Sequence, residues 1–254
     1  MTGPELPAEY LANRSAHELN PPFVPRLEHF PPAAQLEAEW QTLRDDALCL
    51  IRSSGHIPRF NEVDNAQSRI AGSGPPWRVF TLKAYGQWID ENLRLVPGTA
   101  RVLRQYADEY ISSAIFSILE PGKSVPEHCG PMKSVWRYHL GLVVPPTDPP
   151  FIQVEHFAYT WKPGEGVLFD DTFYHRVVNT QTAAWRVVLF LDVYRRDQPA
   201  YAQAVHRMGE RLAVAAPSVQ RSLNTSILRD TPACPARPSP STRLPPVAVR
   251  PATS

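Results

Sequence analysis

The feature that most constrains the fold is a change of rhythm at about residue 111. From there the chain breaks into short β-branched or aromatic runs at 113–119 (SAIFSIL), 134–144, 151–159, 166–169, 175–179 and 185–194, punctuated by Gly, Pro, Asp and Asn. Runs of this length, spaced roughly 8–12 residues apart, predict a sandwich or barrel; a parallel α/β sheet would need helices between them. The segment 77–82 (WRVFTL) can add an edge strand. Upstream the period is helical. Leu36, Trp40, Leu43, Ala47 and Leu50 place one apolar stripe on a helix over 33–54, with Gly55 as its stop. A shorter helix fits 99–108, with Val102, Leu103 and Tyr106 inward, and a last one over 199–214 closes the domain. The expected fold class is mainly β with flanking helices.

Composition bounds the partners. The 254 residues carry Lys+Arg 26 against Asp+Glu 25, a formal net charge of +1 that offers no field to hold nucleic acid by charge alone. No run of about 18 apolar residues occurs, so no transmembrane segment is expected. The first 20 residues lack the apolar stretch of a secretory signal, and Cys49, Cys129 and Cys234 are too few and scattered for a disulfide framework or a thiolate zinc site. A reducing, cytoplasmic setting follows as the expectation. Proline is in excess, 28 residues where about 5% of the chain is usual. Seven of them fall in 231–254, a stretch without acid or aromatic residue, which reads as a disordered tail whose partner is unknown. Residues 1–32 read as an extended arm and 33–215 as a single domain with its β core at about 75–195.

Chemistry concentrates in the β region. Alternation in the strand over 135–142 puts Trp136, Tyr138 and Leu140 on one face and Val135, Arg137, His139 and Gly141 on the other. Taken alone, the second face reads as the wet side of a half-exposed strand. His128, in the loop before this strand, and His175, opening a later one, could converge on a metal, since neutral imidazole suits iron, copper, nickel or zinc. Arg186 begins the final apolar strand, where a buried charge needs an anionic partner such as a dicarboxylate.

The ordered set His128-x-Gly130, Arg137-Tyr138-His139-Leu140-Gly141-Leu142, Trp161, Gly164-x-Gly166, Phe169-Asp170-Asp171, His175, Asn179, Arg186 and Asp192 resembles the aspartyl/asparaginyl β-hydroxylase family of Fe(II)- and 2-oxoglutarate-dependent dioxygenases. The resemblance implies a double-stranded β-helix, a jelly-roll or cupin-like core. It implies His128 and His175 as iron ligands. Arg186 and Ser117 would hold the distal carboxylate of 2-oxoglutarate, with Arg137 and His139 nearer its iron-bound end. Asp171 falls where the family has a carboxylate that hydrogen-bonds a metal-bound water. With O2, such a site hydroxylates an unactivated C–H and releases succinate and CO2.

Two departures bear on the reaction. Non-haem iron oxygenases usually add a carboxylate to two histidines, but that position is Gly130, a glycine shared with the peptidyl members of the family, whereas lipid- and amino-acid-hydroxylating relatives commonly have Asp; related halogenases also lack the carboxylate and seat chloride there. The hydroxylase-like block favours hydroxylation, with halogenation as an alternative. Peptidyl members also have a basic residue where this chain has Val135, which leaves a small-molecule, carrier-bound, lipid or peptidyl substrate open. A catalytically silent metal-binding β-barrel is the competing reading from a different class.

Overall fold

Antiparallel pairing organises the chain into two sheets, one of seven strands and one of four. The computed structural model describes residues 21–54, 57–63, 68–130, 132–180, 184–215 and 233–235. In chain order the elements are Phe23–Val24 (β1), Arg26–His29 (α1), Ala33–Ala38 (α2), Trp40–Ser53 (α3), Phe60–Val63 (α4), Ser68–Ala71 (α5), Trp77–Ala84 (β2), Gln87–Trp88 (β3), Asp90–Leu93 (α6), Pro97–Tyr106 (α7) and a 3-10 turn at Asp108–Tyr110. Then follow Ile111–Leu119 (β4), Val125–His128 (β5), Val135–Val143 (β6), Phe151–Val154 (β7), Phe157–Thr160 (β8), Gly166–Phe169 (β9), His175–Val178 (β10), Arg186–Tyr194 (β11) and Ala200–Ala215 (α8).

The large sheet runs β1-β9-β6-β11-β4-β2-β3 and the small one β5-β10-β7-β8. From β4 onward the chain passes back and forth between them. This is the double-stranded β-helix, or jelly roll. Two apolar layers flank the large sheet. On its outer face Leu36, Leu43, Leu50, Val102 and Leu103 of the helices pack with Trp136, Tyr138, Leu140, Leu189 and Leu191. Between the sheets, Trp77, Val79, Leu119 and Val188 meet Ile152, Val154 and Val177 of the small sheet.

Burial on both sides corrects the half-exposed reading of β6. Val135 is 1% exposed and His139 5%, so Arg137 and His139 face a protein interior and not water. The expected helix over 33–54 is two, because Glu39 leaves helical geometry between them. Its stop at Gly55 lies outside the described residues. The run at 151–159 is a hairpin of two strands, turned at Glu155 with φ of 49°. The strand from Trp77 is longer than expected and is shielded from the sheet edge by β3.

Cys49 and Cys234, 185 residues apart, form a disulfide with a Cα–Cα separation of 5.9 Å. The expectation of no disulfide thus fails, because spacing says nothing about two segments that meet only after folding. Cys234 is buried, and its N–H donates to the Leu95 carbonyl at 3.0 Å. The tail is therefore packed onto the domain at residues 233–235; the remainder of 231–254 and residues 1–20 of the arm lie outside the described residues. The described part of the arm carries β1, which pairs Phe23 with Phe169.

Candidate active site between the two sheets

Strand β5 is only four residues long, Val125–His128. Its Pro126, which cannot donate to a ladder, is accommodated at the edge of the small sheet. His128 is therefore the last residue of a strand and not part of a loop. It is paired in register with His175 on β10. The two imidazole rings lie 4.1 Å apart. Each Nδ1 sits at a backbone carbonyl, 2.8 Å from that of Pro126 for His128 and 2.9 Å from that of Phe173 for His175. A carbonyl only accepts, so Nδ1 carries the hydrogen and Nε2 keeps the lone pair that a metal needs. Burial lowers both pKa values, that of His175 to about 3, with the neighbouring His128 adding to the effect. Both rings are neutral, and the pair fits a divalent cation. Among the described residues no group of three His, Cys, Asp or Glu completes a cluster.

Asp171 stands beside this pair, 2% exposed. Its backbone oxygen accepts the Gly130 N–H at 2.6 Å. A Cβ at position 130 would lie 2.7 Å from even the farther oxygen of this carboxylate. Asp171 thus fills the space that a side chain at Gly130 would take. Glu127, next to His128, is exposed. Arg137 donates from its Nη2 to Asp171 at 2.5 Å, ion-pairs with Asp192 at 2.9 Å and stacks on Phe190 with its guanidinium carbon 4.0 Å from the ring centre. Burial pushes the Asp171 carboxyl up to about 6 against the pull of Arg137, with Asp192 and Asp170 adding to the rise.

Deeper in, His139 sits among Phe169, Phe190 and Trp161, with ring centres at 5.1, 5.0 and 5.8 Å. Neither of its nitrogens has a hydrogen-bond partner among the described residues. Burial, reinforced by Arg186 and Arg137, holds it well below the usual histidine range. Arg186 lies over Trp161 at 4.6 Å and donates to the Ser117 carbonyl and hydroxyl, each at 3.3 Å. Its Nε and the Trp161 Nε1 are buried without a hydrogen-bond partner. Burial alone lowers the Arg186 pKa to about 9. The Ser117 Oγ also accepts from Trp77 Nε1 at 3.0 Å, which leaves its own O–H to donate elsewhere.

All seven expected site residues, Ser117, His128, Arg137, His139, Asp171, His175 and Arg186, thus gather on the facing sides of the two sheets. The residues that sequence reasoning gave no role are Trp77, Trp161, Phe190 and Asp192. Two of them were readable: Arg186, Val188, Phe190 and Asp192 alternate along β11, and register pairs Asp192 with Arg137 and Phe190 with His139. Trp161 depends on Gly141. A Cβ there would lie 3.0 Å from the Lys162 carbonyl carbon, so only glycine lets the loop after Trp161 cross β6 this closely.

The family model described as Aspartyl/Asparaginyl beta-hydroxylase matches residues 37–196. This chain belongs to the aspartyl/asparaginyl β-hydroxylase family. Among curated relatives, an ornithine lipid ester-linked acyl 2-hydroxylase of Rhizobium tropici is 31% identical over 218 residues, covering 85% of this chain and 75% of its own. The aspartyl/asparaginyl β-hydroxylase of Mus musculus is 27% identical over 165 residues, 64% of this chain but only 21% of that protein. Among solved structures, a prolyl-4-hydroxylase of Pseudomonas putida overlaps 66% of this chain and 90% of its own, with a TM-score of 0.38 and 18% identity. The family is one of hydroxylases. No helix among the described residues is long and apolar enough to cross a membrane.

Proposed function

We propose that this chain is an Fe(II)- and 2-oxoglutarate-dependent dioxygenase that hydroxylates an unactivated C–H. The observation that carries the reading is Arg186. It is 2% exposed, has no acid partner among the described residues and lies on the inner side of the same barrel as the histidine pair. A buried guanidinium in that condition is destabilising until an anion joins it, and its planar fork suits a carboxylate. The Ser117 hydroxyl lies 3.3 Å from the Arg186 Nη1, Trp161, with its unpartnered Nε1, stacks against the guanidinium, and His139, with both nitrogens unpartnered, packs on Trp161. A five-carbon dicarboxylate fits that donor set.

In this reading His128 and His175 hold the metal through Nε2, their rings fixed by the Pro126 and Phe173 carbonyls. Arg186 and Ser117 anchor the distal carboxylate, and His139, neutral and without a fixed hydrogen, serves the near end as donor or acceptor. Fe(II) with 2-oxoglutarate and O2 supplies the oxidant, with succinate and CO2 as products; the chain contributes positioning and exclusion of water. Arg137, held by Asp171, Asp192 and the face of Phe190, fixes the Asp171 carboxylate beside the histidines. Asp171 also bears on the choice between hydroxylation and halogenation. Its carboxylate already fills the space beside Gly130, and a halide placed there would meet another anion.

The substrate class we carry over is an amphiphile with an acyl chain, supported by the Rhizobium relative, which matches most of both chains. Val135 also departs from the basic residue of peptidyl members, and at 1% exposed it is packed away from substrate. Succinate formed from 2-oxoglutarate under O2 with Fe(II), with and without acyl lipids and amino-acid amides, tests the reading. Slow uncoupled turnover without additive, and faster turnover coupled to hydroxylation with lipid, is expected. No succinate with any additive, from folded protein loaded with Fe(II), would make the chain a silent binding barrel.

A further inference from the structure

Helix α8 is amphipathic the wrong way round for a helix docked on a soluble domain. The residues it turns inward are His206, Glu210 and, at its end, Val214. Its anchors are polar. Ser134 Oγ meets His206 Nδ1 at 2.5 Å, and Glu210 accepts from Ser112 and from the Tyr194 hydroxyl, the latter at 2.9 Å. On the opposite face Tyr201, Val205, Met208 and Leu212 are 74, 61, 57 and 67% exposed. Steps of four, three and four residues align them in one stripe along the helix. Helices of soluble domains turn such a stripe to the core.

Charge and position say what covers it. Arg207 and Arg211 run along one side of the stripe and are exposed, whereas Glu210, the acid of the described helix, is buried and occupied. The exposed face of the helix itself is therefore apolar and cationic, with Glu109 facing the two arginines across a neighbouring cleft. At 16 residues the helix is about 24 Å long, too short to span a bilayer but long enough to lie in its surface. Across a cleft of about 510 Å³ from Tyr201 and Val205 stand Met132 and Lys133. They lie between β5 and β6, near in sequence to Gly130, whose N–H is bonded to the Asp171 carbonyl.

We propose that α8 is an interfacial helix that seats the domain on an anionic lipid leaflet. Tyr201, Val205, Met208 and Leu212 enter the headgroup boundary, and Arg207 and Arg211 pair with lipid phosphates. This deepens the acyl-lipid reading above, but the helix face stands without it, so the two are tested apart.

The test is flotation of the full chain with vesicles of phosphatidylcholine alone or mixed with phosphatidylglycerol, without iron or co-substrate so that binding is read without turnover. Binding to the anionic vesicles is expected. It should fall roughly tenfold or more in the double variant Met208→Glu/Leu212→Glu, and lose its sensitivity to salt in Arg207→Gln/Arg211→Gln. Circular dichroism and gel filtration accompany each variant; all four residues are exposed, so the fold is expected to be unchanged. Three results would overturn the proposal. One is no flotation with either vesicle. Another is flotation that the substitutions leave unchanged. The third is a parent dimer that Met208→Glu/Leu212→Glu converts to monomer without vesicle binding, which would make the stripe a contact between copies. Lipid binding without succinate formation would sustain α8 and sink the dioxygenase reading; the converse would do the reverse.

Discussion

Replacing Gly130 by alanine tests the packing of the site most sharply. The glycine has no positive φ, so its backbone accepts alanine without strain. What opposes the substitution is Asp171, whose carboxylate holds the space and cannot step aside: it is 2% exposed and tied to Arg137 at 2.5 Å. Overpacking of a closed interior costs about 1–3 kcal/mol. Disturbing a hydrogen bond between charged groups adds about 1.5–3 kcal/mol if it is lost outright. Since part of the clash can be relieved by movement, Gly130→Ala should cost about 2–5 kcal/mol, or about 5–15 °C in melting temperature for a domain of this size. In an Asp171→Ala background the obstacle is gone. There the same change should cost less than about 1 kcal/mol or even stabilise slightly, because alanine restricts the unfolded chain. Urea and thermal melts of the parent, both single variants and the double variant measure the coupling. A parent-like Gly130→Ala, or an equal cost in both backgrounds, would refute the reasoning.

Three further outcomes follow from the same geometry. Arg186→Met should weaken 2-oxoglutarate binding by about 1.5–3 kcal/mol, roughly 10- to 150-fold, while leaving ligand-free stability equal or higher, since it removes a buried charge without an acid partner; unchanged affinity by calorimetry would count against the assignment. Burial raises the Glu210 carboxyl, but His206, Ser112 and the Tyr194 hydroxyl outweigh it and hold the pKa below its ordinary value. Its contribution is thus complete above the unfolded value and lost as pH falls through the folded one, so Glu210→Gln should flatten the loss of thermal stability between about pH 5 and 3, and parallel curves for the two proteins would contradict this. Reducing the Cys49–Cys234 disulfide, or replacing Cys234 by serine, should lower stability by about 2–4 kcal/mol, and a cross-linked peptide should appear in a non-reducing digest; three free thiols in air-oxidised protein, where the bond leaves Cys129 alone, would deny it.

The strands that carry the site were legible because a strand's alternation survives burial on both faces. In β6 it separates Trp136, Tyr138 and Leu140 from Arg137 and His139 whichever layer covers them. The ordered spacing from His128 to Arg186 did the rest. What stayed hidden has physical causes. Strand β5, with proline and two charged or titratable residues in four positions, has no strand pattern of its own and exists because β10 pairs with it. The one-turn helices α1, α4, α5 and α6 are too short to show a period. Arg195, just past the end of β11, is 5% exposed, ion-paired with Asp170 and Asp197 and stacked over Trp136, and nothing in the flanking sequence marks it as buried; all three partners come from elsewhere in the fold or from the turn itself. The disulfide and the outward stripe of α8 are likewise properties of docking. A helical period says that a stripe exists but not which way it faces.

The central claim is that two histidines and a buried arginine hold iron and a dicarboxylate together. Anaerobic addition of Fe(II) and then 2-oxoglutarate to metal-free protein tests it directly, by the visible charge-transfer absorption of a chelated complex. The account predicts a band in the parent, its loss in His128→Ala and His175→Ala, and a shift to higher 2-oxoglutarate concentration in Arg186→Met. Absence of the band in folded parent protein, or its persistence without His175, would contradict it.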